Sequence, residues 1–196
     1  MEKLLVATTN PGKLAEYRAL LQGAPLEIIG LREAGVDLEV AETGATFEEN
    51  ALIKARSYAS ASGLLTLADD SGLWVDALNG APGVFSARYA HGDHARIVKM
   101  LEEMKHVPDG LRSARFVCVI ALAWPGGEAV TFEGRCEGRI AHRPSGRHGF
   151  GFDPIFLFPE QGQTMAELPL SLKNQISHRA RAATQAKAWL IGRLTG

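Results

Sequence analysis

Hydrophobic positions come first as a short run at residues 3–8, which Asn10-Pro11-Gly12 punctuates. Leu14, Tyr17 and Leu21 then recur at helical spacing, so the opening predicts a strand, a turn and a helix ending near Leu21. Residues 27–30 offer a second strand. Thr46-Phe47-Glu48-Glu49 has the capping-box form Ser/Thr-x-x-Glu and predicts a helix running to about Ser62. Phe47, Ala51, Ala55 and Tyr58 make its apolar stripe, while Asn50 and Lys54, four apart, share another face. Residues 64–68 read as a buried strand leading straight into Asp69-Asp70-Ser71-Gly72, and residues 79–83 as a loop. A helix is expected from near Asp93 to near Met104. Residues 115–124 are the longest strand candidate, and Pro125-Gly126-Gly127 turns them into an antiparallel partner at 128–137. A short strand at 155–158 precedes a last helix, from about Ser177 to Leu194, with Ala180, Ala183, Ala186, Leu190 and Leu194 inward. Early alternation of strand and helix, interrupted by a hairpin, predicts an α/β protein with a mixed, twisted sheet flanked by helices. Ligands in such sheets gather off strand ends, where several polar clusters fall.

Composition narrows this picture. The 196 residues suit one domain or two closely fused lobes. A net charge of −1 argues against a nucleic-acid coat or a polybasic membrane binder, since neither could draw on a large positive field. From Lys173 onward, however, Lys173, Arg179, Arg181, Lys187 and Arg193 meet no acid, which suits either a solvated helix face or an anion site. No apolar stretch reaches the roughly 18–20 residues of a membrane helix. Cys118 and Cys136 lack CxxC spacing, so a reducing cytoplasm is the simplest setting.

Four segments carry candidate chemistry. Thr8-Thr9-Asn10-Pro11-Gly12-Lys13 precedes a helix, where free N–H groups and a lysine favour an anion; an ordinary capped turn fits equally, and Ala7 and Leu14 exclude a Walker phosphate loop. Asp69 and Asp70 are adjacent carboxylates at a predicted strand end, with Glu42, Glu48 and Glu49 upstream; they either cap a turn or answer a cation such as Mg²⁺. Gly149-Phe150-Gly151-Phe152-Asp153-Pro154 is either a glycine-rich turn or a slot in which a base stacks on Phe150 or Phe152. Lys173-Asn174-Gln175-Ile176-Ser177-His178-Arg179 concentrates hydrogen-bond donors suited to phosphate or carbonyl oxygens. His91 and His94 resemble a metal pair but lack a third ligand and read as surface residues.

Together, in sequence order, these motifs, Thr46-Phe47-Glu48-Glu49-Asn50-Ala51 with Lys54 following, and Gly80-Ala81-Pro82-Gly83 with Ser86-Ala87-Arg88-Tyr89 resemble the inosine triphosphate pyrophosphatase family over nearly the full length. The resemblance implies a single pyrophosphatase domain over residues 1–196 with an active-site cleft between two lobes, and a homodimer. It implies hydrolysis of ITP, dITP and XTP to the monophosphate and diphosphate, with Mg²⁺ as cofactor. By carry-over Asp70 looks like the general base, with Asp69 as the alternative carboxylate. Lys54 looks like a phosphate-charge neutraliser, and Ser71 and the Thr8, Thr9, Asn10, Pro11, Gly12, Lys13 loop look like phosphate contacts. Phe150, Gly151, Phe152, Asp153, Lys173, His178 and Arg179 look like the base pocket. Glu42 and Asp70 are the preferred metal ligands. Many relatives carry two acids before the Thr-Gly where this chain has Ala41-Glu42-Thr43-Gly44, and Glu39 is the substitute. Donors such as His178 and Arg179 would pair with the carbonyl at purine position six and face an amino group in ATP.

Overall fold

A computed structural model describes residues 2–195; Met1 and Gly196, counted in the single domain read from the sequence, lie outside them. Among the described residues one sheet holds seven strands: β1 (Glu2–Val6), β2 (Leu26–Gly30), β3 (Leu65–Val75), β4 (Ser113–Ala123), β5 (Ala129–Ile140), β6 (Phe156–Phe158) and β7 (Gln163–Thr164). Their order is β2-β1-β3-β4-β5-β6-β7. β1 runs parallel to β2 and to β3, whereas β5, β6 and β7 are antiparallel, so the sheet is mixed as expected. β4 and β5 are joined by a tight turn in which Trp124 donates its N–H to the Glu128 carbonyl at 2.9 Å. A connection that short permits only an antiparallel pair.

The helices are α1 (Pro11–Leu20), α2 (Phe47–Ser62), α3 (Asp93–Glu103), α4 (Leu170–Ile176) and α5 (His178–Thr195). α2 begins with the capping box read from the sequence: Thr46 accepts from the Glu49 N–H, and Glu49 reaches back to the Thr46 N–H. Its end is a left-handed Gly63.

The chain divides into two compact units. The first comprises Met1–Asp70, Cys118–Gly134 and Arg179–Gly196; the second comprises Ser71–Val117 and Arg135–His178. In the first, alternation along the strands builds two cores. Leu4, Val6, Leu65, Leu67, Ile120 and Leu122 pack with Tyr17 and Leu21 and with Ala183, Ala186 and Leu190 of α5. Leu5, Ala7, Ala68, Val119 and Ala121 pack instead with Ala51, Ala55 and Ala59 of α2. Successive strand residues point to opposite faces, so α1 and α5 cover one face and α2 the other. Each fully buried leucine here contributes about 1.5–3 kcal/mol. The second unit has its own core, in which Leu73, Val75, Phe116, Ile140 and Phe156 meet Ile97 and Met100 of α3.

Several sequence expectations change. β3 does not end before Asp69 but runs on to Val75. Leu194, read as inward, is 38% exposed, because the inward stripe of α5 closes at Leu190. The short β7 and α4 carry too little periodicity to be read from sequence. Both cysteines are buried. The basic tail splits: Lys173 and Arg179 are buried, whereas Arg181 and Arg193 are exposed. His91 and His94 are exposed, as read. No helix among the described residues is long and apolar enough to cross a membrane.

Candidate active site

The period of two in β3 decides the placement of the two aspartates. Asp69 continues the series of Leu65 and Leu67 and points to the face covered by α1 and α5. Asp70 continues Ala68 and points to the face covered by α2. The adjacent carboxylates therefore point to opposite faces and have different cations in direct contact, Lys13 for Asp69 and Lys54 for Asp70.

On the first face Lys13 Nζ donates to Asp69 Oδ2 at 2.8 Å, and the Arg179 guanidinium lies 3.8 Å from the same oxygen. Arg179 is itself held by Glu16 at 2.6 Å and is 2% exposed. Burial alone would raise the Asp69 pKa, but Lys13, Arg179 and Lys54 overcome it and hold the group well below the usual carboxylate range. The Cys118 thiol lies 3.9 Å from Asp69. Burial and that carboxylate push its pKa up to about 12, leaving it an inert thiol.

On the other face Lys54 Nζ bridges two carboxylates, at 2.6 Å to Glu42 and 3.2 Å to Asp70. Asn50, one turn earlier on α2, donates to Asp70 Oδ2 at 3.3 Å. Burial raises the Asp70 pKa, Lys54 opposes it and Glu42 adds to it, and the net shift is upward. The Lys54 pKa is raised as well: burial lowers it, yet Asp70, Asp69 and Glu42 together outweigh that, so it stays charged. Asp70 is thus the aspartate with increased proton affinity, and Asp69 the one locked as an anion. Glu39 is exposed, whereas Glu42 stands against Lys54 beside Asp70.

The Thr8–Lys13 segment is a capped helix start. Asn10 Oδ1 accepts from the N–H groups of Gly12, at 2.8 Å, and Lys13, at 3.2 Å, and Thr8 Oγ1 accepts from the Asn10 N–H. Those two helix N–H groups are therefore already engaged, so of the two readings the capped turn describes the segment, and its cationic group is the Lys13 ammonium. Thr9, Pro11 and Gly12 are exposed. Ser71, half-buried, begins the second unit's part of β3.

The second unit assembles the remaining motifs around Asp153. Its Oδ2 accepts from Lys173 Nζ at 2.9 Å and from the Phe150 N–H at 3.0 Å, and the Lys173 ammonium sits 4.8 Å from the centre of the Phe150 ring. His178 stacks on Phe116, with ring centroids 4.8 Å apart and planes 15° apart. Phe150 is half-buried, but Phe152 is 4% exposed and packs in the core with its ring 6.0 Å from Tyr89. Of the two rings proposed as a stacking surface, only Phe150 is accessible, because strong burial commits Phe152 to packing. Gly149 has φ +78, and a Cβ there would lie 2.0 Å from Asp153 Oδ2. Gly149→Ala is expected to displace Asp153 from Lys173 and lower substrate affinity at least tenfold, with a loss of about 1–3 kcal/mol of stability from the strained backbone. Calorimetric titration and a thermal melt check both parts.

Sequence reading missed three partners in these clusters: Glu16 behind Arg179, Asn50 behind Asp70, and Asp93, whose carboxylate accepts from the Gly151 N–H at 2.8 Å. Only the first two left a signal. Glu16 lies three residues after Lys13, and Asn50 four before Lys54, each on one helix face with a lysine.

Comparison with known proteins decides what this arrangement belongs to. The sequence profile of the Ham1 family matches residues 4–189. The chain belongs to the Ham1 family. It is 51% identical over 195 residues to the dITP/XTP pyrophosphatase of Shouchella clausii, covering 98% of each chain. It is likewise 51% identical over 190 residues to the dITP/XTP pyrophosphatase of Geobacter sulfurreducens, covering 95% of this chain and 96% of the other. Among solved Ham1 structures, a HAM1 protein from Coxiella burnetii superposes with a TM-score of 0.90 at 46% identity, covering 98% of this chain and 100% of that one.

Proposed function

We propose that this protein hydrolyses the non-canonical purine nucleoside triphosphates ITP, dITP and XTP, breaking the anhydride between the first and second phosphates to release the monophosphate and diphosphate. The observation that carries the chemistry is the Lys54 ammonium held between Glu42 and Asp70 in a family whose relatives are named dITP/XTP pyrophosphatases.

Hydrolysis of a phosphoanhydride requires neutralised phosphate charge and an oriented water. Asp70 takes the proton of that water, since Asp69 is committed to Lys13 and Arg179 while Asp70 stands with Glu42 against Lys54. Lys54 and Lys13 offset phosphate charge, with Ser71 and the Thr8, Thr9 and Asn10 loop adding hydrogen bonds.

The residues present fit a Mg²⁺ requirement. Glu42 and Asp70 already converge on one positive charge, and no group of three or more His, Cys, Asp or Glu converges among the described residues. Two carboxylates without a closed cage suit an ion that keeps waters and takes substrate phosphates as further ligands. Bound there, Mg²⁺ would supply a Lewis acid for the phosphoryl oxygens.

For the base, Phe150 offers a stacking face, and Lys173 and His178 supply donors toward the carbonyl at purine position six, with Asp153 fixing Lys173. Arg179 belongs to this set only if it exchanges its ion pair with Glu16; in the arrangement seen it acts on Asp69. The same reading makes the enzyme a cytoplasmic homodimer whose partner is a nucleotide and not a nucleic acid, in keeping with its net charge of −1.

The test is product analysis by ³¹P NMR during turnover of ITP with Mg²⁺ and with EDTA. The expected result is inosine monophosphate and diphosphate in Mg²⁺, no turnover in EDTA, and recovery on adding Mg²⁺ back. Orthophosphate as the product, or an undiminished rate in EDTA, contradicts the proposal.

A further inference from the structure

Asn50 is a neutral side chain with 0% exposure, placed where two separate pieces of the catalytic cluster meet. Its Oδ1 accepts from the Gly44 N–H at 2.8 Å, and its Nδ2 donates to Asp70 Oδ2 at 3.3 Å. Four residues on, Lys54 repeats the pattern, touching Glu42 at 2.6 Å and Asp70 Oδ1 at 3.2 Å. One face of α2 therefore holds both oxygens of Asp70, one by an amide and one by an ammonium. The same face holds the Glu42-Thr43-Gly44 segment at two points.

The fit around Gly44 is close. A Cβ at that position would lie 2.6 Å from Glu49 Cβ and 2.8 Å from Asn50 Oδ1, so the segment lies directly against the helix. Lys54 has a long, rotatable stem and by itself fixes neither carboxylate in orientation. Asn50 has a short side chain, no exposure and two directed hydrogen bonds, and it removes that freedom.

We propose that Asn50 is a positioning residue that fixes the orientation of the Asp70 carboxylate and its separation from Glu42. It acts through Asp70 and touches no substrate. The inference rests on the reading of Asp70 as the base for nucleotide hydrolysis.

The experiment is a double-mutant cycle on diphosphate release from ITP, with Asn50→Ala, Asp70→Ala and the pair. Wild-type turnover of ITP is the control that tests the underlying reading, since its absence overturns that reading whatever the variants do. Given turnover, Asn50→Ala is expected to lower kcat by about 10–100-fold, the range found when a residue supporting a direct ligand is removed. The Kd of a non-hydrolysable ITP analogue, measured by calorimetry, should change less than about threefold. In the Asp70→Ala background the same replacement should have no further effect on residual activity. Asn50→Leu, close in size and without polar atoms, should show the same loss of kcat even where its thermal midpoint stays near that of the wild type. A kcat within twofold of wild type, or an equal loss in both backgrounds, overturns the proposal: the first denies a role, and the second makes it general to the fold.

Discussion

Asp70→Asn is expected to lower the turnover number for diphosphate release from ITP by about 10²–10⁴-fold, the contribution proposed for it as a positioned general base, in a protein that remains folded. Asparagine has the same shape and retains an oxygen that can accept from Lys54 or from Asn50, which contact the two carboxylate oxygens at 3.2 and 3.3 Å. Lys54 keeps its 2.6 Å contact with Glu42, so its charge is still answered. The buried position also loses a charge that burial disfavours, so the melting temperature should stay within a few degrees of the wild type. What disappears is the capacity to take a proton. Single-turnover kinetics beside a thermal melt separates the two effects, and near-normal turnover in the folded variant sinks the assignment.

Arg179→Ala is expected to act chiefly on stability. The guanidinium is 2% exposed, donates to Glu16 at 2.6 Å and lies 3.8 Å from Asp69, and both acids are buried. Removing it leaves Glu16 without its cation and Asp69 with fewer, at a cost of about 3–5 kcal/mol. In a chain of this size each kcal/mol is worth about 2–4 °C, which corresponds to a fall in Tm on the order of 10 °C. Lys13 still neutralises Asp69, so the preference for ITP over ATP should survive once activity is measured well below the new midpoint. Lost selectivity at unchanged stability shows instead that Arg179 leaves Glu16 and reads the purine directly.

The contrast between these two residues shows how far the sequence could be read. Patterning located the long elements, because the Leu14–Tyr17–Leu21 stripe, the Thr46 capping box and the Pro125-Gly126-Gly127 turn are local signals whose geometry tertiary packing did not override. The candidate clusters were legible as residue types in order. Their pairing was not, since it depends on which helix covers which face of the sheet. Asp69 and Asp70 are neighbours in the chain and read as one acidic pair, yet strand alternation sends one to Lys13 and Arg179 and the other to Lys54 and Asn50. Phe152 stood open between a stacking surface and a ring in a glycine-rich turn, because a glycine-flanked aromatic looks the same in sequence whether it faces solvent or packs in a core. Arg179 was legible as a hydrogen-bond donor, but its ion pair was not, because Glu16 lies 163 positions away in the chain.

The central claim is the substrate class, and the most direct measurement is kcat/KM for diphosphate release from ITP, XTP, ATP, GTP and dUTP by the purified protein in Mg²⁺. The account predicts efficient turnover of ITP and XTP and discrimination against ATP of about 10⁴-fold, because donors aimed at a purine carbonyl meet an amino group in adenine. Comparable efficiency on ATP, or turnover of dUTP alone, contradicts it.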